Sequence, residues 1–174
     1  TAKDIIKLKP KYVRIHPTLV LRETVLEEMY RSGEYKPHPL IEAVDITEKV
    51  LRIYREAGIK VTRIGLHPSE LLMDNIVAGP WHPAFRELVE GKYLLNEASK
   101  QLKDKKGTHI NIRISPQDET YIRGVKNSNY KWLIDTFELS SLDIIKDTSL
   151  ERGFLSVEKT KKPALQSTQE ELRA

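Results

Sequence analysis

The sequence predicts a chain of two modules, an α/β module followed by a smaller α+β module. Residues 12–21 and 61–69 are short apolar runs of strand character, and each contains an arginine and a His-Pro pair. A long amphipathic segment lies between them, which gives the order strand, crossover helix and parallel strand. From about residue 105 the pattern changes to an alternating strand, two short helices and two further strands.

Composition narrows the possible functions. The chain has 174 residues, of which 39% are apolar and 31% charged, with a formal net charge of +4. It contains no cysteine, which excludes disulfides, thiolate metal sites and cysteine nucleophiles within it. No apolar stretch has the length of a membrane span and no signal peptide is visible. We therefore expect a cytoplasmic protein without a membrane partner, and its mild basic excess permits an RNA partner.

The first module is predicted to contain several helices. Residues 40–57 carry apolar side chains at three- and four-residue steps, and Gly58 is placed to end that helix. Thr24 is predicted to cap a shorter helix that stops at Gly33. We expect residues 68–75 to be irregular. The next helix, over 86–102, is expected to be interrupted near Gly91.

The two predicted parallel strands place charged side chains together. With a period of two, Tyr12, Arg14 and His16 lie on one face of the first strand. In the second strand the same period places four residues on one face: Val61, Arg63, Gly65 and His67. A parallel strand is normally buried on both sides, so an internal arginine is costly unless an anion meets it. This predicts either an anion site or an arginine–carboxylate pair that only stabilises the fold.

The second module begins with the alternating segment His109–Ile114. Ser115 is predicted to cap a helix that ends at Gly124, and Ser128 is predicted to cap the next helix. Two strands near residues 142–145 and 153–157 follow. We expect the domains to be 1–104 and 105–160, with a polar tail over 161–174 that is either a short helix or disordered.

Several fragments of the first module resemble the C-terminal part of the partial barrel in radical SAM enzymes of the Elongator-catalytic-subunit type. They correspond to a late strand, a Gly-x-Tyr-Lys-Pro loop, a helix, the last strand and a segment found in a short bacterial branch. Their positions are 13–20, 30–37, 42–44, 61–65 and 79–89. As an ordered set the fragments are more specific than any one of them.

The resemblance implies an enzyme that cleaves S-adenosylmethionine on an iron–sulfur cluster to begin radical chemistry, with tRNA as the expected substrate. Bacterial relatives are often labelled oxygen-independent coproporphyrinogen oxidase-like, so an oxidoreductase acting on a porphyrin-type small molecule is the alternative. The family's three cluster cysteines are absent here, and cluster ligation needs thiolates. We therefore expect a C-terminal fragment that is inactive alone, holds no cofactor alone and requires its N-terminal half. A degenerate paralogue is the alternative.

The same resemblance places the ends of both arginine strands at the C-terminal mouth of a barrel, where parallel barrels carry their chemistry. We expect Arg14 to face a carboxylate or phosphate, such as the methionyl carboxylate of S-adenosylmethionine. Gly65 would allow close approach of that ligand. The other expected cofactor-binding residues are His16, Arg63, Leu66 and His67. Four of the five histidines precede proline, which keeps them extended, and we expect no metal site and no catalytic residue in this chain.

The second module resembles a KH domain, in which a Gly-x-x-Gly turn between two helices meets the nucleic-acid backbone. Here the turn is Gly124-Val-Lys-Asn127, so asparagine replaces the second glycine; asparagine tolerates a left-handed conformation. The expected nucleic-acid contacts are Arg123, Gly124, Lys126, Asn127 and Lys131. Further basic residues occur nearby: Lys100, Lys103, Lys105, Lys106 and Arg113. A solvated basic face without a ligand, or a free-standing RNA-binding or interaction protein, are the alternatives.

Overall fold

The computed structural model describes residues 1–160, which form two compact units. The first unit is Thr1–Tyr93, and the second begins at Leu94, within a long helix. Both units combine helices and strands, so the mixed α/β class that the sequence predicts is confirmed. No helix within residues 1–160 is long and apolar enough to cross a membrane. The predicted tail over 161–174 lies outside the described residues.

The first unit alternates helices and short strands. In chain order its elements are α1 (Ala2–Lys7), β1 (Tyr12–Ile15), β2 (Val20–Leu21), α2 (Val25–Ser32), α3 (Leu40–Glu56), β3 (Lys60–Ile64), α4 (Glu70–Asn75), β4 (Ile76–Ala78) and the start of α5 (Phe85–Leu102). Strands β1 and β3 form a parallel pair, and β2 pairs antiparallel with β4. The predicted strand–helix–parallel strand order is therefore present, with α3 in the crossover.

A β-bulge changes the faces of the parallel pair. The register pairs Val13 with Val61, but the next pair is Arg14 with Arg63, so Thr62 is the extra residue on β3. An extra residue in one strand breaks the period-two alternation at that point. The predicted sharing of one face by Val61 and Arg63 is therefore wrong. Val61 packs toward the core, and Arg63 lies in register with Arg14.

Apolar side chains from both strands and two helices form the core of the first unit. Ile64 of β3 is buried, and Ile15 of β1 packs against the same cluster. Helices α3 and α5 supply the rest of the buried residues: Ala43, Val44, Leu51, Phe85 and Val89. Helix α3 ends as predicted, because Gly58 follows it with a positive φ of 68°.

Side-chain caps set the starts of two short helices. The hydroxyl of Thr24 accepts a hydrogen bond from the Glu27 backbone N–H at 3.2 Å, which confirms the predicted start of α2. Ser69 accepts one from the Leu72 N–H at 3.2 Å and starts α4. The prediction that residues 68–75 are irregular is therefore wrong. A Ser cap with an acidic residue behind it was the missed sequence signal.

Helix α5 runs without a break through Gly91, contrary to prediction. A glycine inside a helix costs about 1 kcal/mol relative to alanine. Val89 before Gly91 and Leu94 after it are fully buried, and burial of such side chains contributes about 1.5–3 kcal/mol each. Packing therefore outweighs the low helix propensity of the glycine.

The second unit is built on a three-stranded sheet. After α5 its elements are β5 (His109–Ile114), α6 (Glu119–Arg123), α7 (Ser128–Phe137), β6 (Ser141–Lys146) and β7 (Leu155–Thr160). Central strand β5 pairs parallel with β6 and antiparallel with β7. Its alternation is confirmed, because three isoleucines are fully buried while the residues between them are partly exposed. The buried ones are Ile110, Ile112 and Ile114.

The helix starts of the second unit differ from the prediction. Ser115 precedes a 3₁₀ turn over Pro116–Asp118 but makes no side-chain cap hydrogen bond, and α6 begins after that turn. Ser128 is the first residue of α7 and not its cap; Asn127 holds the cap position in a left-handed conformation. The predicted tolerance of Asn127 for that conformation is confirmed.

Candidate ligand and nucleic-acid sites

The paired arginines of the first unit lie on the exposed face of the β1–β3 pair. Ile15 and Ile64 pack on the core side, whereas Arg14 and Arg63 are exposed. The expectation that these arginines are buried is therefore wrong within this chain. The physical reason is that β1 and β3 form a sheet of only two strands, so nothing in residues 1–160 covers their second face.

Neither arginine has an anionic partner in the part of the chain that the structure describes. Arg14 and Arg63 make no ion pair with any carboxylate in residues 1–160, although most arginines of this range do. Two guanidinium groups on adjacent, register-paired residues repel each other, and an anion between them removes that cost. This face therefore has the charge of an anion-binding surface. The alternative prediction, an arginine–carboxylate pair that only stabilises the fold, has no such pair to support it among the described residues.

An open depression of about 540 Å³ lies on this surface. Its lining includes Arg14, Tyr12 and the bulge residue Thr62, and the Thr62 hydroxyl donates to the Val13 carbonyl at 3.2 Å. The ammonium of Lys11 lies 5.4 Å from the Tyr12 ring centroid. Sequence reasoning missed Thr62 because a period of two placed it on the opposite face.

The remaining predicted residues of this site follow the ends of the two parallel strands. His16 comes directly after β1, while Leu66 and His67 follow β3. His16 and His67 are exposed, and Leu66 is half-buried. Because the strands are parallel, these residues lie at one edge of the sheet.

Gly65 is buried, with a positive φ of 80°, and its N–H donates to the Ile15 carbonyl at 2.9 Å. A Cβ atom at this position would lie 3.1 Å from the Phe85 Cβ. The glycine is thus explained by its backbone conformation and by the packing of Phe85. A ligand contact at Gly65 stays a prediction.

The second candidate site is the turn between α6 and α7. Gly124 has φ 69° and ψ 173°, a region that only glycine adopts without strain. Lys126 and Asn127 then take consecutive left-handed conformations. A Cβ on Gly124 would lie 2.7 Å from the Ser128 hydroxyl oxygen and 2.8 Å from the Asn129 Cγ. The turn therefore requires its glycine.

The Arg123 side chain contacts two residues of the second unit, Glu119 and Tyr130. Its Nε lies 3.1 Å from Glu119 Oε1, and its guanidinium lies 5.5 Å from the Tyr130 ring centroid. Lys146 Nζ approaches the other Glu119 oxygen at 2.8 Å. The hydrogen bond from Lys146 lowers the pKa of the Glu119 carboxyl, and that from Arg123 adds to the effect. Arg123 is therefore less available to phosphate than its charge indicates.

Lys126 and Lys131 are exposed and make no ion pair within residues 1–160. Among the other basic residues of this region, four are paired with carboxylates. The pairs are Lys100–Glu97, Lys106–Glu138, Arg113–Asp147 and Arg123–Glu119. Four members of the predicted basic cluster, Lys103, Lys105, Lys126 and Lys131, thus make no ion pair within residues 1–160, and only Lys126 and Lys131 of these belong to the turn and to α7.

The described residues hold no candidate metal site. No group of three His, Asp or Glu residues within 1–160 could hold a metal ion. Two histidines have local partners instead: His38 Nδ1 lies 3.2 Å from Glu42 Oε1, and His82 Nδ1 accepts from the Ala84 N–H at 3.1 Å.

A comparison with protein families matches residues 10–94 to the radical SAM C-terminal domain. This part of the chain is therefore a radical SAM C-terminal domain. It resembles the Elongator type, because Elongator complex protein 3 is among the similar curated proteins. The segment includes both arginine strands and the helix between them.

Two of the curated proteins that match show how far the similarity extends. A stretch of 69 residues is 35% identical to tRNA uridine(34) acetyltransferase of Methanocaldococcus jannaschii, covering 39% of this chain and 13% of that protein. A second stretch, of 76 residues, is 33% identical to Elongator complex protein 3 of Drosophila melanogaster. It covers 44% of this chain and 13% of that protein. The chain thus matches only a small part of each relative. No solved structure matches it significantly.

Radical SAM enzymes use S-adenosylmethionine and an iron–sulfur cluster, and the residues present fit these two groups differently. A cluster needs thiolate ligands, and this chain has no cysteine, so its residues do not fit the cluster. Arg14 and Arg63, which have no carboxylate partner among the described residues, fit a carboxylate such as that of S-adenosylmethionine.

Proposed function

We propose that this chain is the C-terminal part of a longer radical SAM enzyme that modifies tRNA. The family match and the tRNA-modifying relatives support the proposal. In this proposal β1 and β3 are late strands of a partial barrel, and the cluster thiolates are supplied by sequence outside this chain. The chain's own contribution is one wall of the site.

The exposed, register-paired Arg14 and Arg63 are the observation that carries this role. Their guanidinium groups hold and orient the carboxylate of S-adenosylmethionine or a phosphate of the substrate. His16, Leu66 and His67, at the ends of the same strands, line the mouth of that wall. S-adenosylmethionine, when bound to the complete enzyme, supplies the radical; these residues only bind and orient.

Replacing Arg14 by alanine in the polypeptide that carries the cluster should weaken S-adenosylmethionine binding about tenfold or more, since hydrogen bonds to charged groups contribute about 1.5–3 kcal/mol. Equilibrium binding measured by calorimetry checks this. Arg31→Ala is the matched control, because Arg31 already pairs with Glu27 at 2.6 Å on α2. Unchanged affinity in Arg14→Ala would remove the arginine pair from the S-adenosylmethionine site.

The second unit is proposed to bind RNA through its KH-like arrangement. Its order of strand, helix, turn, helix and strand places a glycine-dependent turn between two helices. Lys126 and Lys131, beside this turn, make no ion pair up to residue 160. Lysines without carboxylate partners favour the phosphate backbone of nucleic acid. The unit would then hold the tRNA while the first unit contributes to the reaction site.

A further inference from the structure

Helix α7 carries a large aromatic side chain on its exposed face. Trp132 is 45% exposed, whereas the adjacent Leu133 is fully buried and anchors the helix. Ser128, Lys131 and Asp135 are also exposed, at the three- and four-residue steps that define one helix face. An indole ring is therefore presented to solvent beside an unpaired lysine.

The indole is held in place while it remains accessible. The Trp132 and Phe137 rings meet edge to face, with centroids 6.1 Å apart and planes at 84°. Such aromatic pairs are favourable beyond the area that they bury. A ring fixed in this way loses less conformational entropy when a ligand stacks on it.

We propose that Trp132 stacks on an unpaired base of RNA whose phosphates lie against Lys126 and Lys131. The inference rests on the proposed RNA-binding function and names the substrate as a single-stranded segment. Trp132 follows Ser128, the first residue of α7, by four residues, a rise of about 6 Å along the helix. Neighbouring nucleotides of one strand can span such a distance.

The positive charge near Trp132 favours a nucleic-acid ligand over a protein partner. Two lysines without an ion pair among the described residues accompany Trp132, and Asp135 is an acidic side chain on the same exposed face. A positive surface with an exposed aromatic ring is typical of single-strand binding, where stacking tolerates any base. Duplex RNA keeps its bases stacked inside the helix and is recognised by shape. The site should therefore prefer single strands and show little sequence preference.

The test measures binding of the full 174-residue chain to fluorescently labelled 12-nucleotide RNA, single-stranded or as a duplex, across a salt series. Trp132→Ala should weaken single-strand binding about tenfold, and Trp132→Phe should retain most of it. The slope of affinity against salt should be unchanged in both variants, because the indole contacts no phosphate. Phe154→Ala, at another exposed aromatic residue of the same unit, is the matched control and should bind normally.

A second readout does not depend on replacing the indole. In a Trp81→Phe background, Trp132 is the remaining tryptophan, and single-stranded RNA should quench its fluorescence. Normal binding by Trp132→Ala, or RNA binding without quenching, would overturn the stacking site while leaving RNA binding by the lysines intact. Duplex binding as tight as single-strand binding would overturn it as well. A wild-type chain that binds neither RNA contradicts the proposed function itself.

Discussion

Replacing Asp118 by alanine should destabilise the second unit by about 3 kcal/mol. Asp118 is 2% exposed. Its carboxylate accepts a hydrogen bond from the buried Gly153 N–H at 2.6 Å and one from Arg152 Nε at 3.3 Å. Alanine leaves a buried N–H without a partner, and the lost charge-assisted hydrogen bonds add to that cost.

Urea unfolding followed by the fluorescence of Trp132, in the Trp81→Phe background, measures this loss. Asp118→Asn keeps one acceptor oxygen and should lose less than alanine does. Asp143→Ala is the control, because Asp143 is exposed on β6, and its effect should stay within about 0.5 kcal/mol. Equal effects at positions 118 and 143 would show that the Asp118–Gly153 contact does not stabilise the unit.

Replacing both Lys126 and Lys131 by glutamate should weaken RNA binding by about 100-fold at moderate salt. Each lost phosphate contact lowers the salt slope for a single strand by about 0.7, and the new carboxylates repel phosphate. The double variant should therefore bind more weakly and with a flatter salt dependence than the wild-type chain.

The control for this variant carries the same change in net charge at exposed lysines of the first unit, Lys3 and Lys49. Glutamates there should reduce affinity far less, because screening limits the reach of surface charges to about 10 Å at 0.1 M salt. Equal losses in the two double variants would mean that net charge, and not the turn, governs binding. No loss in either would favour the alternative of a small-molecule substrate.

Local sequence signals predicted much of the fold. The periodicity of α3, its glycine stop and the alternation of β5 each depend on residues close in the chain, and each is confirmed. The bulge at Thr62 could not be read in this way, because it depends on the register between β1 and β3, which are far apart in sequence. That single residue decides whether Arg63 stands beside Arg14.

In the candidate sites, too, features that depend on nearby residues were predictable and contacts between distant residues were not. The left-handed conformation of Asn127 follows from its own chemistry and was predictable. Arg123 and Glu119 are four residues apart, about one helical turn, so their ion pair could have been predicted from the sequence spacing. The contact of Lys146 with Glu119 and that of Asp118 with Gly153 join residues about 30 positions apart. Such contacts require the folded sheet and lie beyond the reach of local patterns.

The exposure of Arg14 and Arg63 has a simple physical meaning in the proposed enzyme. A two-stranded sheet leaves one face open, and further strands would enclose the arginines with their anion. Enclosure lowers the local dielectric and strengthens the interaction of a guanidinium pair with a carboxylate or phosphate. Arg14 and Arg63, which are exposed to solvent in the described part of this chain, would then line an enclosed anion-binding site.

Cleavage of S-adenosylmethionine, measured under anaerobic reducing conditions, tests the central claim most directly. The longer polypeptide that contains this chain together with cluster cysteines should cleave S-adenosylmethionine, and it should lose most of that activity when Arg14 and Arg63 are both replaced by alanine. Residues 1–174 alone should give no cleavage. Cleavage by the chain alone, or full activity in the doubly substituted enzyme, would contradict the account.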